Sequence, residues 1–369
     1  MIVAGAGLAG LVAAARAREL GANPRLLERG SRVGGSMVLS SGVIWRHRRF
    51  EDFRRECPGG DEVLQRLIWE RLDEALGWLR GLGAPVVWEE TGNPLTVGLR
   101  FEPRGLTLAL LGAAGGAELN VDGCAIAAGE PDVPLVLATG GFAASADLVA
   151  QFICPAAPLR LRGNPWSIGA GLVFARERGG AVSEGLDEFY GRAMPDGPWG
   201  EAEFVSASAL FGRFARIFDE DGVEFMRADE VWWSEANLAQ AIAKRPGARA
   251  FLLLDPAGLA ERVRDVAVAE MVAAAPAEAR VAPDALPFAA PPGTVVAVRV
   301  VSAITHTVGG IRIDSGARVV DAMGVPVRNL FAAGVDAGGV AAGGYASGLA
   351  QALVLGRVAA ESACSVAGA

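Results

Sequence analysis

The chain has 369 residues, is 51% hydrophobic and carries a formal charge of −8. That length allows two domains and a large core, and the acidic balance argues against nucleic acid as a partner. No run of about 18 apolar residues stands in the sequence, so no membrane span is expected.

Ile2 to Gly5 reads as a short buried strand. Leu8 to Leu20 is alanine-rich with helical spacing and ends at Gly21, a suitable C-cap. Arg25 to Glu28 reads as the next strand. Phe50 to Leu82 is expected to be mostly helical. Leu135 to Ala138 reads as a buried strand that runs into Thr139-Gly140-Gly141-Phe142. From Ala143 to Phe288 the texture changes: tryptophan, proline and charged residues rise, and Phe214–Phe225 and Ala250–Leu254 read as strands around turns. Pro291-Pro292-Gly293 reads as a linker, after which strand and glycine segments return. Ser347 to Ala360 has the pattern of a final helix.

Gly5-Ala6-Gly7-Leu8-Ala9-Gly10 sits between the first strand and the first helix, with Glu28 eighteen positions later. The glycines permit a tight turn, close approach of backbone to a diphosphate, and close helix–strand packing. The helix N-terminus then faces the phosphates, and Glu28 is placed to accept from ribose hydroxyls. Gly34-Gly35-Ser36 and Ser41-Gly42 follow quickly, which suits a chain running beside a long cofactor; an ordinary surface loop is the alternative. A second glycine-rich stretch lies near the other end, in Thr307-Val308-Gly309-Gly310 and Ala333-Gly334-Val335-Asp336. The two together point to a flavin. The expected class is α/β: a Rossmann-like FAD-binding domain built from both termini (1–142 and 289–369), with an inserted α+β capping domain over 143–288.

These motifs resemble a flavoprotein family that includes the fumarate reductase and succinate dehydrogenase flavin subunits, the 3-ketosteroid dehydrogenases and tricarballylate dehydrogenase. The resemblance rests on Gly5–Gly10, Glu28-Arg29-Gly30, Gly34-Gly35-Ser36, Ala138–Phe142, His306–Gly310, Asn329–Gly334 and Ser347–Arg357. It implies FAD held by the nucleotide domain, a mobile cap, and hydride transfer between flavin N5 and a carbon beside an activated carbon–carbon bond. The cofactor-contact residues it implies are Gly5, Gly7, Leu8, Ala9, Gly10, Glu28, Arg29, Gly34, Gly35, Ser36, Ser41, Gly42, Thr139, Gly140, Gly141, Gly334, Asp336, Ser347, Gly348 and Leu349. The last three open the final helix, whose N-terminus would stabilise charge on a reduced flavin.

Departures from the family pattern refine the expectation. Met37 stands where covalent members carry the linking histidine, so the FAD is expected to be non-covalent. Gly343 or Gly344 stands where fumarate reductases carry an arginine, so a ketone or mono-acid is the expected small-molecule substrate rather than a dicarboxylate. Val335 occupies the place of the family's usual acid, and Asp336 comes one position late. The segment Gly112–Pro134 is shorter than usual.

His306 is the sharpest single candidate, as a donor to a substrate carbonyl or carboxylate; a buried neutral histidine that braces the turn is the alternative. Tyr345 could polarise a ketone or simply pack on the flavin. Tyr190 and Arg192, in Phe189-Tyr190-Gly191-Arg192, are candidate proton carriers from the cap, against a reading as a domain-edge aromatic with a surface arginine. His47, within Arg46-His47-Arg48-Arg49, reads as part of a solvated face, with an anion or flavin-side contact as the other reading. Cys57, Cys124, Cys154 and Cys364 are scattered without a C-x-x-C pair and only two histidines exist, so reduced thiols and no metal site are expected. Lys244 is the sole lysine, which leaves almost no candidate for Schiff-base chemistry. The start, Met1-Ile2-Val3-Ala4, has no basic n-region, and a cytoplasmic location is expected. The electron partner is left open. The competing reading from another class is a flavin-binding or electron-transfer subunit without turnover of its own. A fumarate-reductase-like dicarboxylate reductase remains the alternative among enzymes.

Overall fold

The computed structural model describes residues 1–367, which form two compact units. The first comprises Met1–Ser145, Asn164–Glu188 and the chain from His306 onward. The second comprises Ala146–Gly163 and Phe189–Thr305. The segment Asn164–Glu188, read from sequence as part of the insert, thus lies in the first unit. Its glycines explain why. Gly169 N–H donates to the Gly141 carbonyl at 2.8 Å and Gly171 N–H to Thr139 Oγ1 at 3.1 Å. A Cβ on Gly171 would stand 2.7 Å from Asp336 Oδ2, so only glycine lets this helix start approach the site so closely.

The first unit is built on a six-stranded sheet, in the order Arg318–Val320, Pro326–Ala332, Leu135–Leu137, Ile2–Ala4, Arg25–Glu28, Glu118–Leu119. All neighbours are parallel except the first pair. Ile2–Ala4 and Leu135–Leu137 are buried throughout, which is why both read as short continuous apolar runs. The helix Leu8–Glu19 is buried over nearly its whole first three turns. Its alanines and glycines allow the last helix, Gly348–Ala367, to come close: a Cβ on Gly356 would lie 2.6 Å from the Ala9 carbonyl oxygen. The stretch Gly348–Val366 is long and apolar enough to cross a membrane by length and composition alone, but most of it is buried within the protein. It also carries Arg357, paired with Glu74 at 2.8 Å.

The expected helix over Phe50–Leu82 is two helices, Phe50–Glu56 and Glu62–Gly81. Cys57-Pro58-Gly59-Gly60 interrupts it, and Asp61 caps the second helix through the amides of Val63 and Leu64. The break has a use. Gly59 N–H donates to Ala342 O and Asp61 N–H to Gly339 O, at 3.1 and 2.8 Å. Gln65 Nε2 adds a bond to Val340 O at 2.8 Å. The loop that leads into the last helix is therefore held from one side by this turn.

His47 lies on a three-stranded antiparallel sheet of Val43–His47, Thr96–Phe101 and Val86–Trp88. It is only 4% exposed, stacked on Phe53 and edge-on to Trp45. The run Arg46–Arg49 is therefore no uniform solvated face, since strand alternation turns His47 inward while Arg48 is exposed. Burial pushes His47 down to about 4; the Asp52 charge opposes that and Arg55 assists it. The unfolded chain then takes up a proton at a higher pH than the folded one. The stability His47 confers is complete above about pH 6.5 and is lost as pH falls from there through about 4. His47→Phe should flatten that acid limb of the stability–pH curve, measured by urea unfolding. An unchanged limb would show that His47 remains protonated inside the fold.

The second unit has its own mostly antiparallel sheet, centred on the long strand Val296–Thr307, whose last two residues belong to the first unit; Arg160–Leu161 joins this strand in parallel. Arg249–Leu254 pairs with it over six residues, and Arg216–Phe218 and Glu224–Met226 extend the sheet outward. Its core includes Ile217, Leu238, Ile242, Leu252, Val298 and Val300. Lys244 is occupied there as a donor to the carbonyls of Ile153 and Cys154. The four cysteines are free thiols.

Candidate functional site

The turn Gly5–Gly10 shows how each glycine is used. A Cβ on Gly5 would meet the Ala138 carbonyl oxygen at 2.2 Å, and one on Gly10 would meet Gly5 O at 1.8 Å. Those two allow strand, turn and helix to pack. Gly7 differs: the nearest atom to its Cβ position is Gly35 Cα, 3.9 Å away. Gly7 and Gly34 form an isolated bridge, and Gly34 N–H donates to Ala6 O at 2.8 Å. Gly34 and Gly35 both take positive φ. The result is an open, backbone-lined cradle at the N-terminus of Leu8–Glu19, a shape that fits a diphosphate. Leu8 and Ala9 are buried in the helix behind it.

Glu28 is buried and accepts from Ala6 N–H and Gly30 N–H, both at 2.7 Å. It braces the turn, and each oxygen keeps a second lone pair. Glu28→Ala is expected to weaken FAD binding at least about tenfold, because charge-assisted hydrogen bonds are worth about 1.5–3 kcal/mol, and to lower the melting temperature of the apoprotein as well. Glu28→Gln should do less harm. Equal FAD occupancy across wild type and both variants, read from the ratio of flavin to protein absorbance, would show the ribose is held elsewhere. Arg29 pairs with Asp122, whose other oxygen caps the helix Gly123–Ala128.

Ser36 accepts from Asn164 N–H through its hydroxyl at 3.1 Å. Ser41 and Gly42 lie at the start of the three-stranded sheet. Gly42 takes a positive φ, and a Cβ there would strike Phe101 O at 2.2 Å. Its glycine is thus explained by packing.

Asp336 resolves a question left by the sequence. It is 1% exposed and binds the Thr139–Gly141 turn: its carboxylate accepts from Thr139 N–H, from Thr139 Oγ1 at 3.0 Å and from Gly141 N–H at 3.0 Å. Burial pushes its carboxyl above the usual range, and the Gly141, Thr139 and Gly140 donors pull it back. Asp336 thereby joins the turn after Leu135–Leu137 to the turn after Pro326–Ala332. Gly334, at positive φ, sits against Ala9, whose Cβ would be 2.8 Å from a Cβ placed on it.

At the far end, Ser347 caps the last helix. Its hydroxyl accepts from Ala350 N–H at 3.2 Å and its carbonyl from Gln351 N–H at 3.1 Å. Gly348 and Leu349 contribute the remaining first-turn amides, which have no intrahelical acceptor. His306 lies against this helix end: its Nε2 would be 3.1 Å from a Cβ on Gly348. Its Nδ1 meets Thr307 O at 3.1 Å. Its surroundings are dense enough that desolvation holds the imidazole below its ordinary value and keeps it neutral. Tyr345 packs on Trp45 at 5.6 Å, and Trp45 N–H approaches Ser347 Oγ at 3.5 Å. His306, Tyr345 and the helix N-terminus thus belong to one unit and one neighbourhood.

Tyr190 and Arg192 lie on Phe189–Pro195 of the second unit, with the Arg192 guanidinium 5.0 Å over the Tyr190 ring. Sequence reasoning missed two neighbours in that unit. Glu235 is buried and pushed up to about 7 by desolvation, with Arg192 and Arg213 opposing that shift through their charge. Glu235 Oε1 and Arg213 Nε are buried without a hydrogen-bond partner. No spacing in the sequence signals this group, because its members come from a strand, a 3₁₀ turn and a helix start.

A family model described as an FAD binding domain matches residues 1–128 and 112–349. The chain belongs to that family. FAD is its cofactor, and the Gly7–Gly35 cradle with the helix N-termini behind it fits that group. A probable fumarate reductase of Shewanella frigidimarina (strain NCIMB 400) is 22% identical, over 98% of this chain and 74% of the relative. Among solved structures, the open conformation of a flavocytochrome c3 fumarate reductase superposes with a TM-score of 0.71 at 21% identity, covering 99% of this chain and 78% of that one. The 3-ketosteroid-Δ4-(5α)-dehydrogenase of Rhodococcus jostii RHA1, solved with 4-androstene-3,17-dione, also gives 0.71, at 20% identity over 98% of this chain and 96% of that one. Family, relatives and fold together support an FAD-binding oxidoreductase.

Proposed function

We propose that this protein is an FAD-dependent oxidoreductase acting on a carbon–carbon bond next to a carbonyl or carboxylate, with a ketone or mono-acid as substrate. The observation that carries this reading is the grouping of Tyr345, neutral His306 and the bare Gly348 and Leu349 amides at one helix end. When bound, FAD supplies hydride transfer at N5. Tyr345 donates a hydrogen bond to the substrate carbonyl, which acidifies the adjacent C–H, and neutral His306, whose Nδ1–H donates to Thr307 O, offers Nε2 as an acceptor. Gly348 and Leu349 N–H stabilise negative charge. Tyr190, with the Arg192 guanidinium 5.0 Å over its ring, is the proton carrier this reading assigns to the second unit.

The crowding at Gly343 and Gly344 supports the substrate class. A Cβ on Gly344 would stand 1.7 Å from Glu56 O, and Gly343 is at positive φ against Pro58. An arginine that clamps a second carboxylate has no room at Gly344 and is strained at Gly343. Met37 is 2% exposed, a buried thioether in place of a linking side chain, which supports non-covalent FAD. The test has two steps. Acid precipitation should release intact FAD. The photoreduced protein should then be reoxidised anaerobically by an enone and not by fumarate. A flavin that no enone, enoate or saturated ketone oxidises or reduces would favour a subunit without turnover of its own.

A further inference from the structure

Tyr345 and His306 reach their common helix end on separate stretches of chain, and one residue outside both is bonded to each stretch. Glu188 is the last residue of the segment Asn164–Glu188 in the first unit. Its carbonyl accepts from Val308 N–H at 3.1 Å, two residues after His306. Its carboxylate accepts from Gly343 N–H at 2.8 Å, two residues before Tyr345. Glu188 is itself anchored: its N–H donates to Gly185 O at 3.0 Å, and the same carbonyl accepts from Gly309 N–H at 2.9 Å. Burial pushes the Glu188 carboxyl up, and the Gly343 N–H opposes that shift, as a hydrogen bond to the charged form does.

The loop before Tyr345 depends on such bonds. Gly343 and Gly344 precede the tyrosine directly, and glycine loses the most conformational freedom on being fixed. The Cys57–Gly60 turn supplies one hold, through Gly59 N–H to Ala342 O and through the Cys57 sulfur, at which Tyr345 N–H is directed. We propose that Glu188 supplies the other and is a positioning residue, a two-ended tie whose carboxylate fixes the place of Tyr345 relative to His306. The role rests on the reading of Tyr345 as the donor to the substrate carbonyl. A donor displaced by about 1 Å loses much of its effect on the transition state, so the tie should show in the rate more than in binding.

The test uses the full-length protein with FAD bound, photoreduced and then reoxidised anaerobically by cyclohexenone. Glu188→Ala should lower the limiting rate about tenfold or more. The half-saturating concentration, flavin content and melting temperature should change little, since water can replace the carboxylate in this exposed bond. Glu188→Gln should recover most of the rate, because its side-chain oxygen still accepts from Gly343 N–H. The exposed neighbour Asp187 is the control, and Asp187→Ala should leave the rate unchanged. Added to Tyr345→Phe, Glu188→Ala should cost little more, because both changes act on one group. A full further loss in that background, or an unimpaired Glu188→Ala where Tyr345→Phe is impaired, would overturn the assignment. A second readout needs no substrate. Tyr190 and Tyr345 are the only tyrosines in the chain, so fluorotyrosine labelling gives two fluorine resonances, and Tyr345→Phe identifies one of them by its loss. That resonance should shift or broaden in Glu188→Ala and return in Glu188→Gln. An unmoved resonance would overturn the tie whatever the substrate. If the resonance moves but wild type does not turn over cyclohexenone, or Tyr345→Phe turns it over unimpaired, the tie stands and the role given to Tyr345 falls.

Discussion

Tyr345→Phe is expected to slow turnover of the ketone substrate by roughly one hundredfold or more, in line with the loss of one polarising donor, while FAD stays bound. The substitution is chosen because it removes only the hydroxyl. The ring packs on Trp45 at 5.6 Å, and phenylalanine keeps that contact. The backbone on either side is held independently of the side chain: Gly343 N–H donates to Glu188 Oε2 at 2.8 Å, Gly344 N–H to Ala341 O at 3.1 Å, and Ser347 caps the following helix. A fall in rate with unchanged flavin content and melting temperature therefore isolates the donor. Tyr345 offers one neutral O–H, suited to a carbonyl oxygen and too weak to hold a second carboxylate. Fumarate should accordingly neither reoxidise the reduced protein nor bind measurably. Efficient fumarate turnover, or an unimpaired variant on the true substrate, would take the polarising role away from Tyr345.

What the sequence revealed depended on whether a residue's task is local. The Gly5–Gly10 turn and the flanking strands are local. Each glycine answers to atoms within a few residues or in the adjacent strand, so spacing alone located the turn. The break at Cys57–Gly60 carries a local proline signal, yet the helical pattern on both sides masked it. The partner that makes the break useful, the Gly339–Ala342 backbone, is far away in the chain. His47 shows the same limit. Three arginines around it suggested a wet face, but His47 shares the inward face of its strand with buried Trp45, two residues before it. The return of Asn164–Glu188 to the first unit had a signal, Gly169-Ala170-Gly171, whose meaning depends on Thr139 and Asp336 meeting it in space. Gly42 was read as a cofactor loop because loops and tight sheet starts draw on the same residue. Glu235 and Arg213 left no trace at all, since burial creates their interest and burial is a property of the folded unit.

Asp336→Ala is expected to destabilise the first unit more than any other single carboxylate change, by about 3 kcal/mol or more. The carboxylate is 1% exposed and serves Thr139 N–H, Thr139 Oγ1 and Gly141 N–H together. Removing it leaves those donors without an acceptor in a place water reaches poorly, so their desolvation is uncompensated. For a unit of this size the loss corresponds to a melting temperature lower by about 6–12 °C. Asp336→Asn should fall between, because the amide keeps one acceptor oxygen but turns its N–H₂ toward backbone donors. Asp321 provides the control. It also accepts two backbone N–H groups, from Met323 at 2.9 Å and Val325 at 2.8 Å, but it does so in an exposed turn where water can take its place. Asp321→Ala should therefore cost about 1 kcal/mol or less. The effect of Asp336 should also reach the cofactor. The Thr139–Gly141 turn it holds meets the Gly169–Gly171 helix start, and Gly141 takes a positive φ that only a well-held turn keeps. FAD affinity should thus fall along with stability in Asp336→Ala, and stay at the wild-type value in Asp321→Ala. If urea unfolding gave the two alanine variants equal losses, the buried carboxylate would not be the tie between the two turns.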